Sequence, residues 1–210
     1  MQVPTTMFSL HCPTPDAWLE QSLYNLPILL SDHAHCERKA AQAALSFMPW
    51  FVNDPGISTQ LAKLAREEIR HYEQVIHHMK KMGIEHKNRA PCRYAKSLHS
   101  YTSKDGIDAI VDKLLVASII EARSCERFRA LGAVLEPPLR DFYHKLYLAE
   151  ARHARVYVDY AQSFMKESLV LERLELLLSF EANIIQQPES CFRFHSGVPG
   201  NNKVVKNDTA

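Results

Sequence analysis

Glycine is scarce in this chain, with six positions in 210. Tight β-turns draw on glycine, and few stretches here alternate apolar with polar residues, so both scarcities argue against a sheet-rich fold. An excess of one charge sign is also missing. The 25 basic and 24 acidic residues leave a formal charge of +1, so any nucleic-acid surface has to come from local clustering. The longest apolar runs, Leu114 to Ile120 and Leu174 to Leu178, are far short of the roughly 20 residues a membrane span needs. The opening MQVPTTMFSLHCPTP lacks the basic start and apolar core of a signal peptide. The five cysteines (Cys12, Cys36, Cys92, Cys125, Cys191) are odd in number, widely spaced and without a CxxC pair. That fits a protein without a disulfide framework or a zinc ribbon. No flavin or nicotinamide motif and no iron–sulfur spacing occurs. The expectation is a cytoplasmic protein, reduced and not embedded in a membrane.

What is present is helical. A composition of 46% hydrophobic and 23% charged residues suits a globular protein, and the length suits one domain with a buried core. Four long segments repeat apolar residues at 3-, 4- and 7-residue spacing, as core-facing helices do. They run from about Leu26 to Trp50, Ser58 to Met82, Asp105 to Leu131 and Pro137-Pro138 to Lys166. A short helix near Asp16 to Tyr24 precedes them, and a fifth long one, near Leu169 to Gln187, follows. Asn53-Asp54-Pro55-Gly56 breaks the first pair and Gly83 ends the second helix. A long polar crossover covers Ile84 to about Lys104. Two short connections and one long one give the expected fold class: all-α, a ferritin-like four-helix bundle with a long crossover and an additional C-terminal helix. The domain is expected to span 1–210, helical over about 17–187, with an irregular tail over 188–210.

The chemistry lies on the apolar stripes. Glu68 and His71 interrupt Leu61, Leu64, Ala65, Tyr72, Val75 and Met79; Glu150 and His153 interrupt Phe142, Tyr143, Leu146, Tyr157 and Tyr160. Glu37 and Glu121 fall on the stripes of the other two helices. The halves echo each other, with 31 residues from Glu37 to Glu68 and 29 from Glu121 to Glu150. Four inward carboxylates repel one another, and an unpaired buried carboxylate costs several kcal/mol. No inward stripe of Lys or Arg is evident to neutralise them. Metal ions do so. Residues three apart share a helix face, so each Glu-x-x-His offers an oxygen and a nitrogen to one centre. Two such pairs plus two lone glutamates form the di-iron or di-manganese carboxylate pattern, with a donor set suited to iron or manganese. Glu121 has a competitor in Glu126, but fits the repeat spacing better. Cys36 and Cys125 read as small buried residues, Tyr72, Tyr143, Tyr157 and Tyr160 as core, and His33 and His35 as solvent-facing or capping, with a role behind the metal ligands as the lesser alternative.

At these residues the chain resembles a particular family. The strings HCERKAA, REEIRHYEQV, IIEARSCERF and LAEARHARVY, with the closing CFRFHSG, are similar to the tRNA 2-methylthio-N6-isopentenyladenosine hydroxylases over about Ala17 to Phe194. The resemblance implies two iron ions and O2-dependent hydroxylation of the isopentenyl group on a hypermodified adenosine beside the tRNA anticodon. With no electron-transfer motif in the chain, a separate reductase is implied. A tRNA substrate calls for basic surface, and the crossover offers Lys80, Lys81, Lys87, Arg89, Arg93, Lys96 and Lys104, with Tyr94 and Tyr101 interleaved for base stacking. Lys87, Arg89, Arg93, Tyr94 and Lys96 are the candidate tRNA contacts. Arg123, Arg127 and Arg129 belong either to that footprint or to surface ion pairs. The competing readings are a ferritin- or rubrerythrin-like iron or peroxide handler, a di-iron oxygenase acting on another small molecule, and a structural metal bundle.

Overall fold

The computed structural model describes residues 8–88 and 92–200. Its frame is two antiparallel hairpins, α2 (Leu26–Phe47) with α3 (Pro55–Lys81) and α5 (Gly106–Val134) with α6 (Leu139–Ala161). The short α1 (Asp16–Tyr24) leads in, and α7 (Glu167–Gln186) follows. The crossover contains a helix that the sequence did not announce, α4 (Arg93–Ser100), packed against α5 and α7.

Local chemistry sets the helix ends. The Asp54 side chain accepts a hydrogen bond from the Ile57 N–H at 3.0 Å, and Pro55 follows in the first turn, so α3 is capped where its first amides lack partners. At its other end Gly83 turns left-handed at φ 66°, while the Gly83 and Ile84 amides donate back to Lys80 and Met79. That is a Schellman stop, for which glycine has no steric penalty. The α6 helix begins at Leu139, just past the two prolines rather than at them.

The α7 helix has no side-chain cap and is held by packing. It buries Val170, Leu174, Leu177, Leu178, Ile184 and Ile185, and each such side chain gains roughly 1.5–3 kcal/mol from burial.

The apolar core falls into two clusters. One gathers Phe47, Leu61, Leu64, Leu114, Leu115 and Tyr157; the other gathers Leu30, Val75, Met79, Phe128, Tyr143 and Leu146. Between them along all four bundle helices lie Glu37, Glu68, Glu121 and Glu150.

The described part of the tail is irregular apart from a two-residue parallel pairing of β1 (Pro188–Glu189) with β2 (Val198–Pro199). It is nevertheless core: Phe192, Phe194, His195 and Ser196 are all buried. A side chain at Gly197 would lie 2.4 Å from the Gln187 carbonyl oxygen, so only glycine admits this close approach of the tail to the end of α7.

Two expectations about arginine are corrected here. Arg123 and Arg127 are fully buried, so neither belongs to a nucleic-acid footprint or a surface ion pair. They are inward basic residues, which the sequence reading found none of, but they serve other partners than the four glutamates. Arg123 meets Glu181 through two nitrogens at 2.8 and 2.9 Å and donates to the Cys12 carbonyl. Arg127 donates to the Phe194 and Ser196 carbonyls and lies 4.2 Å over the Trp18 ring. Arg129 is exposed.

Candidate metal centre

Each of the four bundle helices contributes one buried glutamate at the same level. Glu37, Glu68, Glu121 and Glu150 are at most 5% exposed, and His71 and His153 at most 8%. One donor atom from each of Glu37, Glu68, His71 and Glu150 lies within 4.8 Å of the others, and the same holds for Glu68, Glu121, Glu150 and His153. The structure therefore brings all six residues together as two groups that share Glu68 and Glu150.

The shared pair is oriented for that role. Glu68 turns Oε2 toward His71 Nδ1 (3.3 Å) and Oε1 toward His153 Nδ1 (2.7 Å). Glu150 does the converse, with Oε1 3.0 Å from His71 Nδ1 and Oε2 2.8 Å from His153 Nδ1. Yet Glu68 Oε1 and Glu150 Oε1 make no hydrogen bond among the described residues. The atoms are close but not aligned on each other, as expected of donors converging on a third atom between them. The residues thus fit a pair of ions, which Glu37 and His71 on one side and Glu121 and His153 on the other would hold together with the shared Glu68 and Glu150.

The electrostatics agree. Burial raises the Glu68 carboxyl, and the neighbouring Glu150 charge adds to it, giving about 7. Burial and the charges of Glu68 and Glu150 push Glu121 well up. Burial also works against the Glu37 charge, but His33 and His71 outweigh it and hold that carboxyl down at about 2. Burial lowers His71 and His153, but the carboxylates around them prevail and raise both. Without a metal, protonated imidazoles are the countercharge of this cluster. Bound metal ions would replace those protons, so metal affinity would fall as the pH falls.

Glu126 is committed elsewhere. It accepts from the Thr14 amide at 3.0 Å and pairs with Arg123 at 3.2 Å, which ties the N-terminal segment to α5.

Two residues around the cluster stand otherwise than the sequence favoured, His33 in the role that was the lesser alternative and Glu67 in one the sequence did not suggest. His33 is fully buried, not solvent-facing, and its Nε2 lies 2.5 Å from Glu37 Oε1. Its ring is stacked on Phe194 at 4.9 Å, so the tail braces the residue that orients Glu37. The i,i+4 spacing of His33 and Glu37 on one stripe was the available signal. Glu67, the neighbour of Glu68 outside the Glu-x-x-His pattern, faces His153 Nε2 at 2.9 Å. Partners of this kind fix ligand orientation and typically carry 10–100-fold in metal affinity. His33→Ala is therefore expected to weaken iron binding by about that factor in a chelator competition. Unchanged affinity would show that Glu37 is oriented without it.

The candidate tRNA contacts fare differently. Lys87 and Lys96 are exposed, Lys87 with Glu85 at 3.5 Å. Arg93 is part-exposed, bonded to Gln187 and 3.6 Å from Glu189. Arg89 lies outside the described residues. Tyr94 is corrected: it is 1% exposed, its hydroxyl donates to Glu181, and its ring is stacked on His195, so it offers no face to a base. Tyr101 packs on Phe180 at 4.5 Å with Arg173 over its ring.

An antiparallel α-bundle with this internal carboxylate pairing is the architecture of the ferritin-like di-iron proteins, and the chain is of that class. Within it, the chain belongs to the tRNA-(MS2IO6A)-hydroxylase (MiaE) family, whose model matches residues 1–196. It is accordingly an oxidoreductase of tRNA modification. It is 40% identical over 197 residues to the tRNA 2-(methylsulfanyl)-N(6)-isopentenyladenosine(37) hydroxylase of Pseudomonas putida, covering 94% of this chain and 96% of the relative. The protein of the same name from Salmonella typhimurium is 34% identical, with 90% and 88% covered. Among solved structures, a Synechococcus protein described as having aldehyde deformylating oxygenase activity superposes with a TM-score of 0.86. It is 35% identical, and the match covers 91% of this chain and 97% of that one.

Proposed function

We infer that the chain holds two iron ions through Glu37, Glu68, His71, Glu121, Glu150 and His153, and uses O2 to hydroxylate the isopentenyl side chain of 2-methylthio-N6-isopentenyladenosine next to the anticodon in tRNA. The observation that carries the metal reading is the reciprocal arrangement of Glu68 and Glu150, each presenting one oxygen to each histidine. When bound, the iron pair supplies the oxygen chemistry that side chains lack. The protein supplies the rest. Its six donors fix the site, His33 and Glu67 orient two of them, and the apolar clusters above and below exclude water. Electrons come from a separate reductase, since the sequence has no motif for carrying them. A tRNA substrate favours a cytoplasmic location. Among the described residues no helix is long and apolar enough to cross a membrane. Family membership disfavours the storage and small-molecule alternatives.

For tRNA binding, the crossover basic surface remains the candidate, through Lys87, Arg89, Arg93 and Lys96. Arg93 and Arg193 also line one cavity of about 470 Å³ beside it. Phosphate contacts carry little sequence information, so neutralising Lys87, Arg89, Arg93 and Lys96 together is expected to weaken many tRNAs alike. Each lost contact lowers the salt slope by about one unit. Iron content stays normal. Mass analysis of tRNA nucleosides from cells with and without the protein tests the activity: the hydroxylated nucleoside appears only with it. Unchanged tRNA affinity in the fourfold variant removes the crossover from the interface.

A further inference from the structure

Among the buried oxygens without a hydrogen-bond partner are Glu68 Oε1, Glu150 Oε1 and the phenolic oxygen of Tyr157. The first two belong to the metal centre. The third is a donor on the same stripe of α6, four residues past His153 and seven past Glu150. Tyr157 is fully buried, and its ring is held edge-on by Phe47 at 5.6 Å and Tyr160 at 6.5 Å.

Three other buried tyrosines place their hydroxyls against named partners. Tyr94 donates to Glu181 and Tyr160 to Gln60, and the Tyr143 hydroxyl faces His33 at 3.4 Å. An unmade hydrogen bond on a buried hydroxyl costs roughly 1–3 kcal/mol, so an orphan here calls for a partner that is not part of the chain.

The direction of the ring follows from helix geometry. Side chains on an α-helix lean toward its N-terminus, which tilts Tyr157 back toward the level of His153 and Glu150. On the antiparallel α5, Ser118 donates to the Ala154 carbonyl at 2.6 Å. This places the turn before Glu121 beside the turn before Tyr157, and Glu121 leans toward that level from the other side. Burial pushes the Tyr157 phenol well above its usual range, and the charges of Glu121, Glu68 and Glu150, in that order, add to the push. The group therefore keeps its proton and stays a donor.

We propose that the Tyr157 hydroxyl donates a hydrogen bond to the small oxygen-bearing or anionic ligand that occupies the open coordination position of the metal pair on its Glu121 side. This rests on the metal reading. Tyr157 is then a residue that touches the bound group without ligating iron.

Azide, a small anion with a charge-transfer absorption on ferric iron, is the probe. Wild type and Tyr157→Phe are loaded with iron in air, assayed for iron and titrated with azide. Both are expected to hold about two irons per chain, with azide bound about tenfold more weakly by the variant, the size of one hydrogen bond to a charged group. Tyr160→Phe, whose hydroxyl is used by Gln60, leaves azide affinity unchanged. Equal azide affinity in wild type and Tyr157→Phe overturns the proposal. So does an equal loss in Tyr160→Phe, which would make the effect one of packing. Loss of iron from Tyr157→Phe also overturns it, by showing that the phenol supports the ligands. A wild-type protein that takes up no iron pair sinks the metal reading itself, and that result is visible before any variant is made.

Discussion

Replacing Glu68 or Glu150 by alanine is expected to strip most of the iron from a protein that otherwise takes up about two ions per chain. Each of these carboxylates faces both histidines, so each loss touches both ions. Glu37→Ala and Glu121→Ala remove a donor from one ion only and are expected to do less. Glu126→Ala should leave the iron in place, because that side chain is spent on Thr14 and Arg123. The metal-free proteins provide a second reading. Burial and mutual repulsion hold the Glu68 carboxyl up at about 7, so removing it from the empty cluster relieves strain. The metal-free Glu68→Ala protein is thus expected to melt no lower than metal-free wild type. Full iron content in both the Glu68 and Glu150 variants would refute the ligand assignment, and a larger effect at Glu126 than at Glu121 would show the wrong glutamate was chosen on α5.

The second large effect concerns stability. Glu181→Ala leaves the Arg123 guanidinium fully buried with its main partner gone. Breaking one side of a buried pair of this kind costs about 3–5 kcal/mol, and here the Tyr94 hydroxyl loses its acceptor too. Urea unfolding reads the loss as a lowered midpoint at an unchanged slope. The double variant Arg123→Met/Glu181→Leu is expected to recover much of it, since an apolar pair of similar volume removes the desolvation problem instead of exposing it. A Glu181→Ala midpoint equal to wild type would show that water reaches Arg123 in solution.

The cluster of six inward donors was legible because its signal is local and periodic. Glu68 and His71 share one face of one helix by spacing alone, and so do Glu150 and His153. The apolar neighbours of each pair say which face is buried. Repeating the pattern in two halves removed most of the ambiguity, and Glu121 over Glu126 followed from that repeat. The roles of His33 and Glu67 were not read correctly, although both lie near ligands in sequence. A histidine four residues before a glutamate is common on solvated helices, and it is the rings of Phe128, Phe142, Tyr143 and Phe194, brought in from α5, α6 and the tail, that bury His33. Glu67 becomes a partner of His153 because α3 and α6 lie side by side, and no pattern within either helix states that.

The sequence by itself determined the long helices, their pairing through two short turns and one long crossover, and the six inward donors, but not the crossover helix α4. These depend on the 3.6-residue period and on turn residues such as Asp54-Pro55 and Gly83, which act over a few neighbours. The tertiary structure alone decided the fate of Arg123, Arg127, Tyr94 and the CFRFHSG tail. A buried arginine, a tyrosine on a basic helix and an irregular segment all look like surface until their partners are known. Those partners are far away in sequence: Glu181 for Arg123 and Tyr94, and the Phe194 and Ser196 carbonyls for Arg127. Burial of a polar group is settled by whether a complementary group arrives opposite it, and that is a property of the assembled chain.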